Sequence, residues 1–330
     1  MHIYSVSRSV PKRWHLFRYI FVAAMALLVI ILASQTAVSQ EPLLVSENSW
    51  IRAQNVGDDP AMLEVSHYDR SGQTIASEIC PSEFCGAVPS GSGWTFFTET
   101  NLDLAGGFYG STKITAEQPF VAVAGKDSLT SGVDGWYLTI GGDSHWQGGA
   151  SSKLILPFVE YTSEKSSILH IQNASSDSAA CIRIRYFMES SLDIFASEPE
   201  NSSVQCPVGG LYLEPNASIV RNKLSFPFEI GFTGSVTIET SPVQTGDFLI
   251  SAAEQAIVAS VDTISVDGIS FSTYRGFAES EAGKDIVLPI IQRQVTTFGD
   301  FLDEVWSTRF RITAANPSVP TAANILFSGA

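Results

Sequence analysis

"WIRAQNVGDDPAMLEVSHYD", Trp50–Asp69, decides how the chain is read. An alternating apolar and polar run ends in Gln54-Asn55. A polar turn follows, and then a second alternating run. Side chains one position apart point to opposite faces of a strand, so period-two alternation marks two half-buried strands joined by a turn. The same order returns in "SILHIQNASSDSAACIRIRYF", Ser167–Phe187, with Gln172-Asn173 at the matching place. A recurrence at this distance calls for a search for further ones.

Working outward, more markers recur in the same order. Cys80-Pro81 returns as Cys206-Pro207. "GFYGSTKI" (Gly107–Ile114) returns as "GFTGSVTI" (Gly231–Ile238), and "EQPFVAVAGKD" (Glu117–Asp127) as "EQAIVASVDT" (Glu254–Thr263). Val133-Asp134-Gly135 has a counterpart in Val266-Asp267-Gly268, and "LILPFV" (Leu154–Val159) in "IVLPII" (Ile286–Ile291). The Leu156-Pro157 and Leu288-Pro289 steps mark the expected seams. "VWSTRFRITAANPSVPTAANILF" (Val305–Phe327) opens a third unit. The pattern predicts an all-β chain of tandem antiparallel β-sandwich domains, Ig-like or jelly-roll-like. The first spans 41–153 and the second 154–285; residues 286–330 form a partial third unit or completing strands.

The first 40 residues are a different material. Arg8, Lys12, Arg13 and Arg18 precede the uncharged apolar run Tyr19–Ala33. Ala37-Val38-Ser39 fits the small-x-small rule for cleavage before Gln40, so the segment reads as a signal peptide or, if retained, as a membrane anchor. Either way the rest is expected outside the cytoplasm, extracellular or at the cell surface. Without the four leader cations, 15 Lys plus Arg face 34 Asp plus Glu, a net charge near −19. Nucleic acid and anionic lipid are poor partners for such a surface, because both require clustered cations. Any membrane contact would then run through the leader alone.

Four cysteines in an exported chain suggest disulfides. Cys80 and Cys85 share one loop, and Cys181 is aligned with Leu63 on the second strand of its unit. Each unit thus holds two cysteines. The simplest of three pairings is Cys80–Cys85 with Cys181–Cys206.

Chemistry is sparse. "GFYGSTKI" lacks the spacing of a phosphate loop, and Thr237 replaces Lys113 in its second occurrence, so it reads as a turn leading into a strand with a core phenylalanine. His67 and His170 fall on strands. "GGDSHWQGG" (Gly141–Gly149) reads as a flexible loop gathering Asp143, His145 and Trp146. Asp127 and Asp134 recur as Asp262 and Asp267; they suit either Ca²⁺, as the one cofactor to consider, or plain hairpin turns. Trp94, Trp136, Tyr137, His145 and Trp146 form a candidate ligand-binding set near loops, either stacking sugars or filling the core. Asn173, Asn201 and Asn216 begin glycosylation sequons in expected turns.

The chain from about residue 41 resembles the tandem Ig-like β-sandwich repeats of bacterial secreted and cell-surface proteins, through the Gln54-Asn55 and Gln172-Asn173 openings and the "GF-GS" turns. The resemblance implies a spacer, an adhesive unit or a ligand-binding appendage whose partner is a cell-surface protein or glycan. It transfers no catalytic residue. The expectation is a non-catalytic surface protein; the alternative is a pair of carbohydrate-binding modules.

Overall fold

The computed structural model describes residues 43–80, 87–132, 135–145, 150–189, 194–198, 203–266, 271–282, 295–297 and 304–306. Of these, only the backbone is described at 43–47, 80, 99, 126–132, 135–145, 271, 295–297 and 304–306. The expected leader, with its run 19–33, lies outside them. The chain is all-β, with several antiparallel sheets; among the described residues no helix is long and apolar enough to cross a membrane.

Seven strands come first: β1 (Leu43–Asn55), β2 (Leu63–Tyr68), β3 (Thr74–Cys80), β4 (Gly93–Phe97), β5 (Ser111–Ala116), β6 (Phe120–Gly132) and β7 (Gly135–His145). They form two sheets, β4-β1-β6-β7 and β3-β2-β5. Alternation along β2 points Leu63, Val65 and His67 inward. With Ala53, Val88 and Phe96 the two apolar ones build a small core, onto which Ile114, Ala116, Phe120 and Ala122 pack.

The next strands are β8 (Lys153–Tyr161), β9 (Lys165–Asn173), β10 (Ala180–Met188), β11 (Ile194–Glu198), β12 (Leu211–Leu213), β13 (Ser218–Arg221), β14 (Phe232–Ser241), β15 (Val243–Thr245), β16 (Phe248–Ile250), β17 (Ile257–Ser265), β18 (Phe271–Arg275) and β19 (Phe277–Ala278). Ten of them make one sheet along the path β11-β10-β14-β8-β9-β17-β18, with β12 on β10, β13 on β9 and β19 on β8; β15 and β16 form a separate hairpin. Their core is larger, 18 buried residues including Leu156, Ile184, Tyr186, Phe232 and Ile238 among those described. The expected seam at Leu156-Pro157 lies inside β8, with Leu154, Leu156 and Val159 in that core. Proline has no N–H to donate, and the β8–β14 register shifts just there, between Val159↔Gly234 and Leu156↔Val236. A last pair, β20 (Val295–Thr297) and β21 (Glu304–Trp306), is described by backbone alone.

Equivalent pairings recur between the two sets of strands. Gln54 faces Gly93 and Val121; Gln172 faces Ser218 and Val258. Tyr68 faces Ser111 as Phe187 faces Ser235, and Val65 faces Glu78 as Ile184 faces Glu198. These registers correct two alignments. Leu63 faces Ala116 while Ile182 faces Thr240, so Leu63 corresponds to Ile182 and Cys181 to Met62. The turn after Asn173 is one residue longer: Asn55 reaches the carbonyl of Asp59, but Asn173 reaches that of Ser178. Asp262 corresponds to Gly125 rather than Asp127, because Trp50 faces Gly125 where Ile168 faces Asp262.

Candidate functional site

The recurring sequence markers turn out to be structural pins. Asn55 and Asn173 are fully buried. Asn55 Nδ2 donates to the carbonyls of Asp59 (2.7 Å) and Val88 (3.0 Å), and its Oδ1 accepts from Gly57 N (2.9 Å). Asn173 Nδ2 donates to Ser178 (2.8 Å), Leu213 (3.3 Å) and Glu214 (3.0 Å), and Oδ1 accepts from Ser175 N (3.1 Å). One amide thus ties each turn to the strand-like segment opposite. With its amide committed in this way, Asn173 is no acceptor for a glycan in the folded chain, and Asn216 is buried too; Asn201 lies outside the described residues. The "GF-GS" turns have the same explanation. A Cβ on Gly110 would sit 2.0 Å from the carbonyl oxygen of Tyr68 and 2.7 Å from the Phe108 ring; on Gly234 it would sit 2.0 Å from the Phe187 oxygen and 2.6 Å from the Phe232 ring. Only glycine fits where the backbone and the ring close in this tightly.

The disulfide Cys181–Cys206 forms as expected, beside Ala179 and Val243. The expected Cys80–Cys85 link lies outside the described side chains. Of the aromatic set, Trp94 is placed on β4 and is exposed. Trp136, Tyr137 and His145 lie on β7, and Trp146 is outside the described residues. Gly141–His145 therefore continue a long hairpin strand and do not form a loop: Gly141 faces Lys126 and Gly142 faces Gly125. Asp127 lies on β6 opposite Asn48; Asp134 and Asp267 are outside the described residues. Asp262 is buried and receives His170 Nε2 at 2.8 Å. A carboxylate so engaged, in a strand interior, is a poor start for a Ca²⁺ shell. No group of three or more His, Cys, Asp or Glu that could hold a metal occurs among the described residues.

Two polar groups stand out, one around each of the strand histidines His170 and His67. The first joins the two sets of strands. Tyr109 OH lies 3.1 Å from His170 Nδ1, and His170 Nε2 donates to Asp262 Oδ2. The Arg70 guanidinium sits over the Tyr109 ring at 4.9 Å. Around them the backbone N–H of Ser218 donates to the Arg70 carbonyl (3.2 Å), Ser111 Oγ donates to the Asn216 carbonyl (3.2 Å), and a Cβ on Gly72 would sit 2.1 Å from the Pro215 oxygen. The Asp69–Gln73 turn that carries these contacts is fixed by Asp69 Oδ1, which accepts from Ser71 Oγ, Ser71 N and Gln73 N; these bonds hold the Asp69 carboxyl below the usual carboxylate range.

The second group lines the open edge between β3 and β4. His67, almost fully buried, is hydrogen-bonded through Nδ1 to Thr112 Oγ1 (3.0 Å) and through Nε2 to Glu78 Oε1 (3.2 Å); Asn101 Nδ2 donates to the same oxygen (2.5 Å). Arg52 Nη1 donates to Thr95 Oγ1 (2.9 Å), and Arg52, Glu78 and Trp94 line the same cleft. At the matching edge of the later strands, Glu198 accepts from Tyr186 OH (2.7 Å) and Arg221 Nε (2.7 Å). A sequence signal for this pair existed: Ala76-Ser77-Glu78 recurs as Ala196-Ser197-Glu198. Comparison with protein-family models, curated proteins and solved structures returned no match to the chain.

Proposed function

We propose that the chain is an exported, non-catalytic surface protein built of repeated Ig-like β-sandwich modules, units 41–153 and 154–285, acting as a structural spacer or adhesin. Support comes from the common register, the paired asparagine pins and the common glycine–phenylalanine turns, which two copies of one module would share. The disulfide is compatible with an oxidising compartment. The observation that carries the spacer reading is the junction. Tyr109, Arg70 and the Asp69–Gln73 turn of the first unit are keyed into His170 and the Pro215–Ser218 turn of the second by side-chain and backbone bonds. Modules on a loose linker would make no such set, whereas a stiff rod requires one.

Spin labels at Ser77 and Ser251, both exposed and one in each unit, test this reading. The expected result is a single narrow distance distribution in the full chain, broadened by Gly72→Val, which drives a side chain against the Pro215 oxygen. A broad distribution in the unaltered chain would overturn the spacer reading. A second reading, a carbohydrate-binding function, is favoured by the exposure of Trp94 at the β3–β4 edge.

A further inference from the structure

We propose that the open edge between β3 and β4 is a cleft for a neutral saccharide, in which Trp94 is the stacking platform and Glu78 and Arg52 bind hydroxyls. The inference rests on the adhesive arm of the reading above and gives it a ligand class. The cleft is about 710 Å³ and is lined by Arg52, Glu78, Ile79, Trp94, Thr95 and Phe97. Small-ligand sites span roughly 300–1,000 Å³.

Trp94 projects from the inner side of its sheet: it pairs with buried Ala53 and alternates with Thr95 on β4. An inner-face indole normally vanishes into the core, as its neighbour Phe96 does at 5% exposure. Trp94 instead keeps 39% of its surface in water. That exposed indole surface offers an apolar contact for a flat apolar ligand surface, such as the C–H face of a pyranose.

The polar groups are held ready. Both bonds that fix Glu78 end on Oε1, from His67 and Asn101, and no described residue bonds its Oε2. Arg52, which pairs with Thr95 on the other face of the same sheet, is held by it through one of its two terminal nitrogens and lines the cleft from across the β4 edge. Groups already fixed by a supporting layer lose less freedom on binding, so more of each hydrogen bond appears as affinity. One carboxylate and one guanidinium among the lining residues leave the cleft near neutral. An acidic glycan meets Glu78 and a chain of net charge −15, and a cationic ligand meets Arg52. A neutral polyol satisfies both groups, since hydroxyls donate to Oε2 and accept from the guanidinium.

The later strands show the same edge closed. There Arg221 and Tyr186 occupy both oxygens of Glu198, and Ile219, at the position of Trp94, packs on the core. One backbone scheme thus carries a sealed edge in one place and an aromatic cleft in the other.

Affinity electrophoresis of the full chain in gels containing xylan, mixed-linkage β-glucan, glucomannan or dextran tests the proposal, with polygalacturonate as the acidic control. The expected result is retardation by at least one neutral polymer and none by polygalacturonate. Trp94→Ala weakens binding by about tenfold or more and Glu78→Gln by about fivefold, each a loss on the scale of one to two contacts. Trp94→Phe, which keeps an aromatic face should the alanine variant fail to fold, binds at an intermediate level. Phe248→Ser, at an exposed hairpin tip, binds like the unaltered chain. Absence of retardation in all four neutral polymers, or retardation that Trp94→Ala and Glu78→Gln leave intact, overturns the cleft. Neither outcome alters the spin-label distance, so failure of the cleft and failure of the spacer reading are told apart.

Discussion

Strands β1–β7 and β8–β19 solve one hydrogen-bonding problem with different side chains. In both, a buried asparagine pins the first turn, a glycine admits a carbonyl from the neighbouring strand, and a glutamate sits on the edge strand facing a buried polar partner. The fillings differ. Among the described residues the earlier core holds five buried members and the later one 18, with Tyr186, Phe226, Phe228 and Phe232 meeting edge-on, stacked or tilted at 4.5–6.0 Å between ring centroids. A disulfide closes a 25-residue span beside the later core. The earlier strands put a histidine where the later ones put Tyr186 and leave a tryptophan in water. The contrast teaches that the shared pins specify the framework, while the freely varied positions decide whether an edge serves stability or contact.

The pins give the sharpest way to break that comparison. Asn173→Ala removes a side chain whose two N–H donors are shared among three carbonyls and whose oxygen accepts one N–H in a buried setting, and is expected to destabilise its strands by about 4 kcal/mol. Asn55→Ala, with two carbonyls and one N–H, is expected to cost about 3 kcal/mol. Hydrogen exchange measured separately on β2 and β10 peptides reads each loss in place. Should either variant keep its protection unchanged, the two asparagines do not do the same work.

Removing the staple asks how much of the contrast is covalent. Cys181→Ala with Cys206→Ala is expected to lower the stability of the later strands by about 3 kcal/mol, the chain-entropy value for a loop of this length. Tryptophan fluorescence separates the two regions. Residues 151–282 hold no tryptophan, whereas strands β1–β7 carry Trp50, Trp94 and Trp136. The fluorescence transition should stay in place while exchange in β10 accelerates. A fluorescence midpoint that falls with the disulfide would mean that the two regions unfold as one unit.

Much of the framework is legible along the chain, because strand alternation, turn residues and close-approach glycines are local properties. "CIRIRYF" reads as a strand with inward Ile182, Ile184 and Tyr186, and it is one. The Cys181–Cys206 link is legible too, since residues 154–285 hold just those two cysteines. What lies between elements is not legible. The extra residue after Asn173 shifts the later strands by one position, and no residue in "NASSDSAA" announces it. Tyr109, His170 and Asp262 are 61 and 92 residues apart, so only the docking of sheets brings them together. The cleft is intermediate: Trp94 can be singled out as an aromatic near loops. That Glu78 would face it, with Oε1 committed and Oε2 open, depends on which strand ends the sheet. Gly141–His145 misled in the other direction. Glycines that suggest a flexible loop also fit a long hairpin, where Gly142 lies opposite Gly125.

The smallest expected effect tests how well the later edge is sealed. Tyr186 is fully buried, and its hydroxyl donates to Glu198. Burial pushes its phenol well above the ordinary value, and the Glu198 charge adds to this, because both disfavour the phenolate. A folded-state value raised above the unfolded one gives stability that is present below the unfolded value, about pH 10, and is lost as pH rises beyond it. Tyr186→Phe is expected to cost about 1 kcal/mol at pH 7, the worth of one buried hydrogen bond. That cost should shrink above about pH 10, where unfolding releases a proton from tyrosine and none from phenylalanine. Denaturant midpoints of the two proteins at pH 7, 9 and 10.5 would then converge. A gap that stays constant across that range would place the phenol in contact with water, and the later edge would be as open as the one that holds Trp94.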